Sequence, residues 1–423
     1  MKVLVVGSGG REHAIVYKLR QSPAVSEILC APGNGGISDI ARCFDVKATD
    51  IEGQCRLALE QKVDFVVVAP DDPLALGLVD RLTALGIPAF GPTAAAARIE
   101  SSKSFAKNLM RKHGIPTADY AVFSDIDAAL QYVRAKGAPI VVKCDGLALG
   151  KGVVVCHTTE EAEEAVKMMM SDGVFGKSGS TVVIEEYMTG PEVTVLCFTD
   201  GKTLVPMPSS QDHKRAYDGD EGPNTGGMGS ISPSPFYTPD IEKRCLEEIF
   251  IPTIRAMERE GCPFKGVLYF GLMLTPDGPK VVEYNARFGD PEAQAVLVRL
   301  ESDLFEIMTA VVEGTLDNIN VKWNQNASCC VVLASGGYPA GYKTGYRISG
   351  LDKSSGIIFH AGTKKTEDGD YVTAGGRVLG VTALGKDLSD AVNAAYEAVR
   401  PVGFENMHYR RDIGKIKRTG GNQ

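Results

Sequence analysis

Over the first hundred residues, short apolar runs alternate with stretches whose apolar positions recur at helical spacing. Residues 3–6, 27–30, 65–69 and 87–90 read as strands, and residues 11–19 read as a helix. Alternation of this kind, with short connections, predicts a doubly wound parallel sheet. Gly91-Pro92-Thr93 breaks the pattern, a helix is expected over 94–111, and Gly114-Ile115-Pro116 stops it, which places the first domain boundary here. A helix (126–136), a strand (140–143), a glycine-rich loop, a strand (153–156), a helix (160–170) and a strand (181–186) then form a small α+β unit. The polar, glycine-rich stretch 209–234 shows no periodicity and reads as a long loop, a length that inside compact proteins usually signals function. A helix over 241–259, strands over 267–274 and 280–284, and a helix over 291–313 follow. Short strands (329–334, 377–383), glycine turns and a closing helix over 388–399 complete the chain.

At 423 residues the chain exceeds a single ordinary core, so several packed units are expected. Hydrophobic residues at 44% and charged residues at 23% exclude a disordered chain. No apolar run approaches the roughly 20 residues needed to cross a bilayer, so no membrane partner is expected. The net charge of -8 repels a polyanion, which argues against nucleic acid as a partner. The opening apolar run breaks at Gly7 without the long apolar core of a leader, and a cytoplasmic protein is expected. The ten cysteines are scattered without a Cys-x-x-Cys pair and read as reduced, buried thiols.

Four segments carry chemistry. Gly7-Ser8-Gly9-Gly10-Arg11-Glu12-His13 lies where the first strand meets the first helix, so backbone N–H groups, the helix dipole and Arg11 favour an anion such as a phosphate. A dinucleotide fingerprint would need a third glycine where Glu12 stands and an acidic residue after the second strand, where Cys30-Ala31-Pro32-Gly33 stands. A glycine turn that merely lets the helix pack remains open. Lys143-Cys144-Asp145-Gly146-Leu147-Ala148-Leu149-Gly150-Lys151-Gly152 sets a lysine at a strand end before a flexible loop, suited to a triphosphate, although a plain hairpin explains it equally well. It is not a Walker loop, since the Gly-Lys-Ser/Thr ending and a following helix are missing. Val182 to Met188, followed by Gly190-Pro191-Glu192-Val193, resembles an interdomain hinge whose backbone could read an adenine edge. Glu283 and Asn285 stand two apart on a strand and so share a face, offering the oxygen ligands that magnesium takes; an incidental surface pair is the alternative.

The order of strand lysine, glycine loop, Glu-Glu hinge and Glu-x-Asn strand resembles the ATP-grasp superfamily. Within it, Glu283-Tyr284-Asn285-Ala286-Arg287-Phe288-Gly289-Asp290-Pro291-Glu292, Gln211-Asp212-His213-Lys214-Arg215 and Asn224-Thr225-Gly226-Gly227-Met228-Gly229 are similar to the phosphoribosylamine–glycine ligase family. The likeness runs from the opening Gly-Ser-Gly-Gly-Arg-Glu-His to the closing His408-Tyr409-Arg410-Arg411-Asp412-Ile413-Gly414.

The resemblance implies an α/β multidomain protein. Its parts would be a preATP-grasp doubly wound domain (1–100), a linking helix belonging to the central domain (101–117), an ATP-grasp α+β lid (118–190), a central catalytic subdomain (191–325) and a C-terminal β-rich domain (326–423). It implies ATP as cosubstrate, Mg2+ or Mn2+ on Glu283 and Asn285, and glycine and 5-phosphoribosylamine as substrates. ATP would contact Lys103, Lys143, Gly150, Lys151, Gly152, Glu185, Glu186, Tyr187, Met188 and Glu192. The amine substrate's phosphate would sit on Gly9, Gly10 and Arg11 with Glu12 and Asp71 beside it, and Asp212, Lys214, Thr225, Gly226, Arg287 and Asp290 would line the space towards ATP. Lys143, Arg287, Asp212 and Lys214 would serve the chemistry, a monomer is expected, and glycyl phosphate would be the intermediate. The sequence departs from the family pattern in three respects. Asp71 stands for a glutamate, Cys144 and Leu149 for alanines in the lid loop, and residues 267–274 offer no carboxylate for a further metal ligand. A different ATP-grasp ligase or carboxylase, a non-catalytic nucleotide-binding protein and an NAD-dependent oxidoreductase are the competing readings.

Overall fold

The computed structural model describes residues 1–148, 152–171 and 176–415. The amino-terminal sheet has five parallel strands in the spatial order Arg42–Cys43, Glu27–Pro32, Lys2–Gly7, Phe65–Val68, Ala89–Phe90. The chain winds outward from the central strand first one way and then the other, so the ends of Lys2–Gly7 and Phe65–Val68 open a crevice, the usual ligand position in such sheets. Helix Gly10–Leu19 leaves this crevice directly, and Asp71–Ala75 begins beside it. Helix Ile51–Glu60, which the apolar spacing does not single out, is capped by Asp50, whose carboxylate accepts from Gly53 N at 2.9 Å.

The helix expected over 94–111 is two helices, Ala94–Ser101 and Lys103–His113. Ser102 between them is extended and caps the second by accepting from Phe105 N at 3.2 Å. Asp145, at the root of the glycine-rich loop, takes the next free amide, that of Ser104, at 2.6 Å. The break therefore ties the loop to the start of a helix.

Four antiparallel strands form the lid sheet, in the order Tyr120–Phe123, Val182–Glu186, Ile140–Cys144, Val153–Cys156. Alternation divides its faces. Ile140, Val142, Cys144 and Ile184 pack with helices Ile126–Lys136 and Thr159–Met170, while Val141, Lys143 and Glu185 face a cavity. The central sheet runs Leu204–Pro206, Glu192–Thr199, Gly266–Thr275, Gly278–Asn285 and is antiparallel throughout; its two middle strands pack against core on both faces. Its strand Glu192–Thr199 was not among the expected elements.

Two further helices differ from expectation. The 241–259 stretch is Pro239–Cys245 and Ile251–Arg259 joined by a π turn, Leu246–Phe250, next to Pro252, which lacks the N–H that would continue the α pattern. The 291–313 stretch splits into Glu292–Val296, a tight turn Leu297–Arg299, and Leu304–Glu313. There Asp303 accepts from Phe305 N at 2.8 Å and so starts a new helix.

The segment expected as a loop over 209–234 is largely paired. Gln211–Asp212 and Gly229–Ser232 join Ala327–Ser335, Arg377–Gly385 and Ile357–His360 in the C-terminal sheet, and Arg215–Tyr217 with Glu221–Asn224 make a small hairpin between them. Helix Leu388–Val399 covers this sheet. The C-terminal part docks on the first sheet where His360 N donates to His13 Nδ1 at 2.8 Å and Asn34 Nδ2 donates to His360 O at 2.8 Å. All ten cysteines are unpaired thiols, and only Cys43 is less than buried. Among the described residues no helix is long and apolar enough to cross a membrane.

Candidate active site

The parts meet around one cavity of about 1380 Å³. On the lid side, Lys143 at the end of its strand donates to Glu185 Oε2 at 2.9 Å and to Val282 O at 3.3 Å. Lys107, one helical turn beyond Lys103, meets the same Glu185 oxygen at 2.9 Å and donates to Thr117 Oγ1 at 2.8 Å. Burial pushes the Lys107 ammonium down to about 8, against the pull of Glu185. Both lysines lean on one carboxylate oxygen, and the other, Oε1, is buried without a partner. Lys103 donates to Gly146 O at 3.1 Å. Glu186, Tyr187 and Met188 line the cavity behind them. Gly190 lets the hinge pass against the central sheet: its φ is +148°, and a Cβ there would lie 2.2 Å from Leu274 O.

The floor is strand Gly278–Asn285. Its register against Gly266–Thr275 slips between Gly271 and Leu272, so that Val282 is an extra residue and both Val282 and Glu283 border the cavity. Tyr284 points the other way, hydrogen bonded to Thr253 Oγ1 at 2.9 Å, which leaves Glu283 and Asn285 on the cavity face. Burial works against the charge on Glu283, but Lys214, Lys143, Lys103 and Arg287 outweigh it and hold the carboxyl below its ordinary range. Lys214 spans Glu192 at 3.1 Å and Glu283 at 3.5 Å, and the first of these raises its own pKa most. Arg287 donates to Asn285 Oδ1 at 2.9 Å and pairs with buried Glu100 at 2.9 Å. Glu283 and Asn285 are thus the hard oxygen donors that could hold a divalent ion. No cluster of three or more His, Cys, Asp or Glu suited to a metal occurs among the described residues, so other ligands would have to come from a bound molecule.

The amino-terminal turn borders the cavity only in part. Arg11 and Asp71 reach the cavity wall, whereas Gly9, Gly10 and Glu12 lie behind it. Gly9 N donates to Glu12 Oε2 at 2.5 Å and Arg11 N to Asp290 Oδ2 at 3.1 Å, so carboxylates of the protein already occupy these amides. A Cβ on Gly10 would lie 2.3 Å from Gln294 Nε2, which makes this glycine one of helix packing. Of the three positions expected to cradle a phosphate, only Arg11 faces the cavity.

Asp212, Lys214, Thr225, Gly226 and Asp290 close the remaining wall. Thr225 Oγ1 donates to Lys214 O at 2.8 Å, which ties the two legs of the hairpin. Burial, and then the neighbouring Glu292, raise the Asp212 carboxyl well above its ordinary range; its Oδ1 is buried and unpartnered, as is Arg287 Nε. Gly152 also lines the cavity, whereas Gly150, Lys151 and Leu149 lie outside the described residues. Three groups here escape a reading of the sequence, Lys107, Glu100 and Arg377, and Glu292 appears in it only as the end of the Glu283–Glu292 motif. Arg377 donates to Gly226 O at 2.6 Å and Asp290 O at 2.7 Å. Only Lys107, four residues after Lys103 and so on the same helix face, leaves a signal in the sequence.

Comparison with known proteins settles the family. Models of the phosphoribosylglycinamide synthetase N domain, ATP-grasp (A) domain and C domain match residues 1–100, 101–293 and 328–416. A phosphoribosylamine–glycine ligase of Vibrio vulnificus is 50% identical over 420 residues, 98% of either chain. The chain belongs to the phosphoribosylamine–glycine ligase family. Another of these ligases, from Xanthomonas axonopodis pv. citri, is 51% identical over 98% of this chain and 97% of its own. The crystal structure of the Thermotoga maritima phosphoribosylamine–glycine ligase superposes with a TM-score of 0.87 at 33% identity, covering 98% of this chain and all of that one. The three-domain ligase architecture, with an ATP-grasp fold between a parallel-sheet first domain and a C-terminal antiparallel one, accounts for every sheet described above.

Proposed function

We propose that this protein joins glycine to 5-phosphoribosylamine at the expense of ATP, giving glycinamide ribonucleotide, ADP and phosphate, a step of de novo purine synthesis. The observation that carries this reading is that one cavity holds a lysine-lined cleft, a pair of hard oxygen donors, and a wall of opposed arginines and carboxylates, which supports a nucleotide beside small polar substrates. Whole-length relatives at about half identity bear the matching enzyme name.

In this reading ATP lies under the lid, its phosphates beside Lys103 and Lys143 and the Gly150-Lys151-Gly152 loop. Its adenine lies against residues 185–188, and its ribose at Glu192. Glu283 and Asn285 would hold Mg2+ or Mn2+; when bound, the ion neutralises charge on the phosphoryl oxygens. Arg287, fixed by Glu100 and with its Nε unsatisfied, orients the glycine carboxylate. A carboxylate oxygen of glycine attacks the γ-phosphorus, the bond to the β-phosphate oxygen breaks, and ADP leaves with glycyl phosphate in place. Lys143 and Lys214 hold the charge that spreads over the transferring group. The amine of phosphoribosylamine, positioned by Arg11, Asp71, Asp212, Thr225, Gly226 and Asp290, then attacks the acyl carbon. The C–N bond forms, the C–O bond to phosphate breaks, and the amine proton leaves with the departing phosphate or solvent. Closing of the lid unit over the cavity excludes the water that would hydrolyse glycyl phosphate. The division at residues 100, 117, 190 and 325, a monomeric state and a cytoplasmic location belong to the same reading.

The direct test is product identity. Incubated with ATP, magnesium, 15N-glycine and freshly made phosphoribosylamine, the protein is expected to yield 15N-labelled glycinamide ribonucleotide by mass spectrometry; ATP consumption without this product would remove the proposal.

A further inference from the structure

The carboxy-terminal motif His408-Tyr409-Arg410-Arg411-Asp412-Ile413-Gly414 contributes none of the groups assigned a part in the reaction, yet it holds the largest fully buried side chain among the described residues, Arg410. That guanidinium forms a two-bond fork with Asp412, both at 2.8 Å, pairs with Asp220 Oδ1 at 2.8 Å, and donates to Arg215 O at 3.1 Å. The backbone around it repeats the grip. Arg411 N donates to Asp218 Oδ1 at 2.7 Å, Gly219 N to Asp412 Oδ2 at 2.8 Å, and Gly414 N to His213 Nε2 at 3.2 Å; His408 Nε2 meets Ala216 O at 2.7 Å. Apart from the Arg410–Asp412 fork, every one of these bonds joins the motif to residues 213–220, the strip immediately after Asp212 that includes Lys214. Tyr396 OH anchors the clamp to the last helix by donating to Arg410 O at 2.8 Å and accepting from Ile413 N at 2.9 Å.

A solvent-facing hairpin would otherwise hold its shape poorly. Arg215–Tyr217 and Glu221–Asn224 are a two-stranded ribbon outside the larger sheets, with a register irregularity between Arg215 and Tyr217, and such ribbons are marginal alone. Lys214 must nonetheless bridge Glu192 and Glu283, which belong to different strands of the central sheet. We propose that Arg410, with Asp412, is a positioning residue: at the rim of the same cavity, by clamping residues 213–220, it sets Lys214 and Asp212 in place for phosphoryl transfer, so that the rate of the reaction depends on the C-terminal motif.

This inference rests on the ligation proposed above, so the wild-type chain is assayed beside the variants. Arg410→Lys keeps the charge but cannot make the fork and the carbonyl bond together, and Asp412→Asn weakens the fork from the less buried partner. Steady-state kcat, KM for ATP and thermal midpoint are measured on the full chain. A displacement on the order of 1 Å can cost about a hundredfold, so each variant is expected to lose about tenfold or more in kcat, with KM for ATP within about twofold. The loss should persist after correction for the folded fraction, which a purely structural role would not produce. Wild-type-like kcat in Asp412→Asn and in the folded fraction of Arg410→Lys would overturn the positioning role. A wild-type chain without glycine-dependent ADP release would instead overturn the reaction itself.

Discussion

Glu283 shows how a single side chain is placed by its surroundings. The slip opposite Gly271 turns it into the cavity, Gly271 leaves it room with only 3.1 Å between a would-be Cβ and Glu283 Cγ, and four cations keep it ionised. Glu283→Ala is expected to lower kcat about a hundredfold or more, as loss of a group at developing charge does. The thermal midpoint should stay near wild type, since Lys214 retains Glu192; full activity in this variant would show that the residue has no part in the chemistry. Glu283, Asn285, Lys143 and Arg287 are legible in the sequence because strand alternation and a motif fix their direction. Glu100 and Arg377 are not. A glutamate in an alanine-rich helix reads as solvent-facing, and Glu100 is a buried residue of the cavity wall only because Ala286 N and Arg287, nearly two hundred residues on, come to meet it.

Among the elements, strong apolar periodicity locates the strands of the first and lid sheets and most helices, while cooperative features elude it. The stretch 209–234 reads as a loop because most of its buried positions are glycine and serine, with Ala216, Met228 and Ile231 scattered among them; Gly229–Ser232 is a strand only because Ala327–Ser335, a hundred residues later, accepts it. Likewise, the break at Ser102 depends on Asp145. The passage between lid and central sheet turns on Gly190, whose positive φ and 2.2 Å approach to Leu274 O exclude a side chain. Gly190→Ala is expected to cost on the order of 1–3 kcal/mol. It should also raise KM for ATP, because residues 185–192 form the wall proposed for the nucleotide. Unchanged thermal midpoint and KM would show that the hinge tolerates the displacement.

The whole molecule depends on its seams. Where the C-terminal part meets the first sheet, burial pushes His13 down to about 3 and His360 down to about 4, so both rings are neutral in the folded protein near pH 5. Free in an unfolded chain they take up protons near pH 6.5. Between these values the unfolded state binds more protons, so stability is full above about pH 6.5 and falls as pH drops towards 4, by about 1 kcal/mol per pH unit for each ring. His13→Gln, which can still accept the His360 amide, should flatten the fall of the thermal midpoint between pH 7 and 5; an unaltered slope would place the acid sensitivity elsewhere. The first, lid, central and C-terminal parts all border a single cavity, in which the proposed reaction couples phosphoryl transfer to amide formation. The most direct measurement is ADP release followed against glycinamide ribonucleotide formed, with glycine and phosphoribosylamine each omitted in turn. Coupled chemistry gives one ADP per amide and almost none without glycine, whereas ADP release indifferent to both substrates would contradict it.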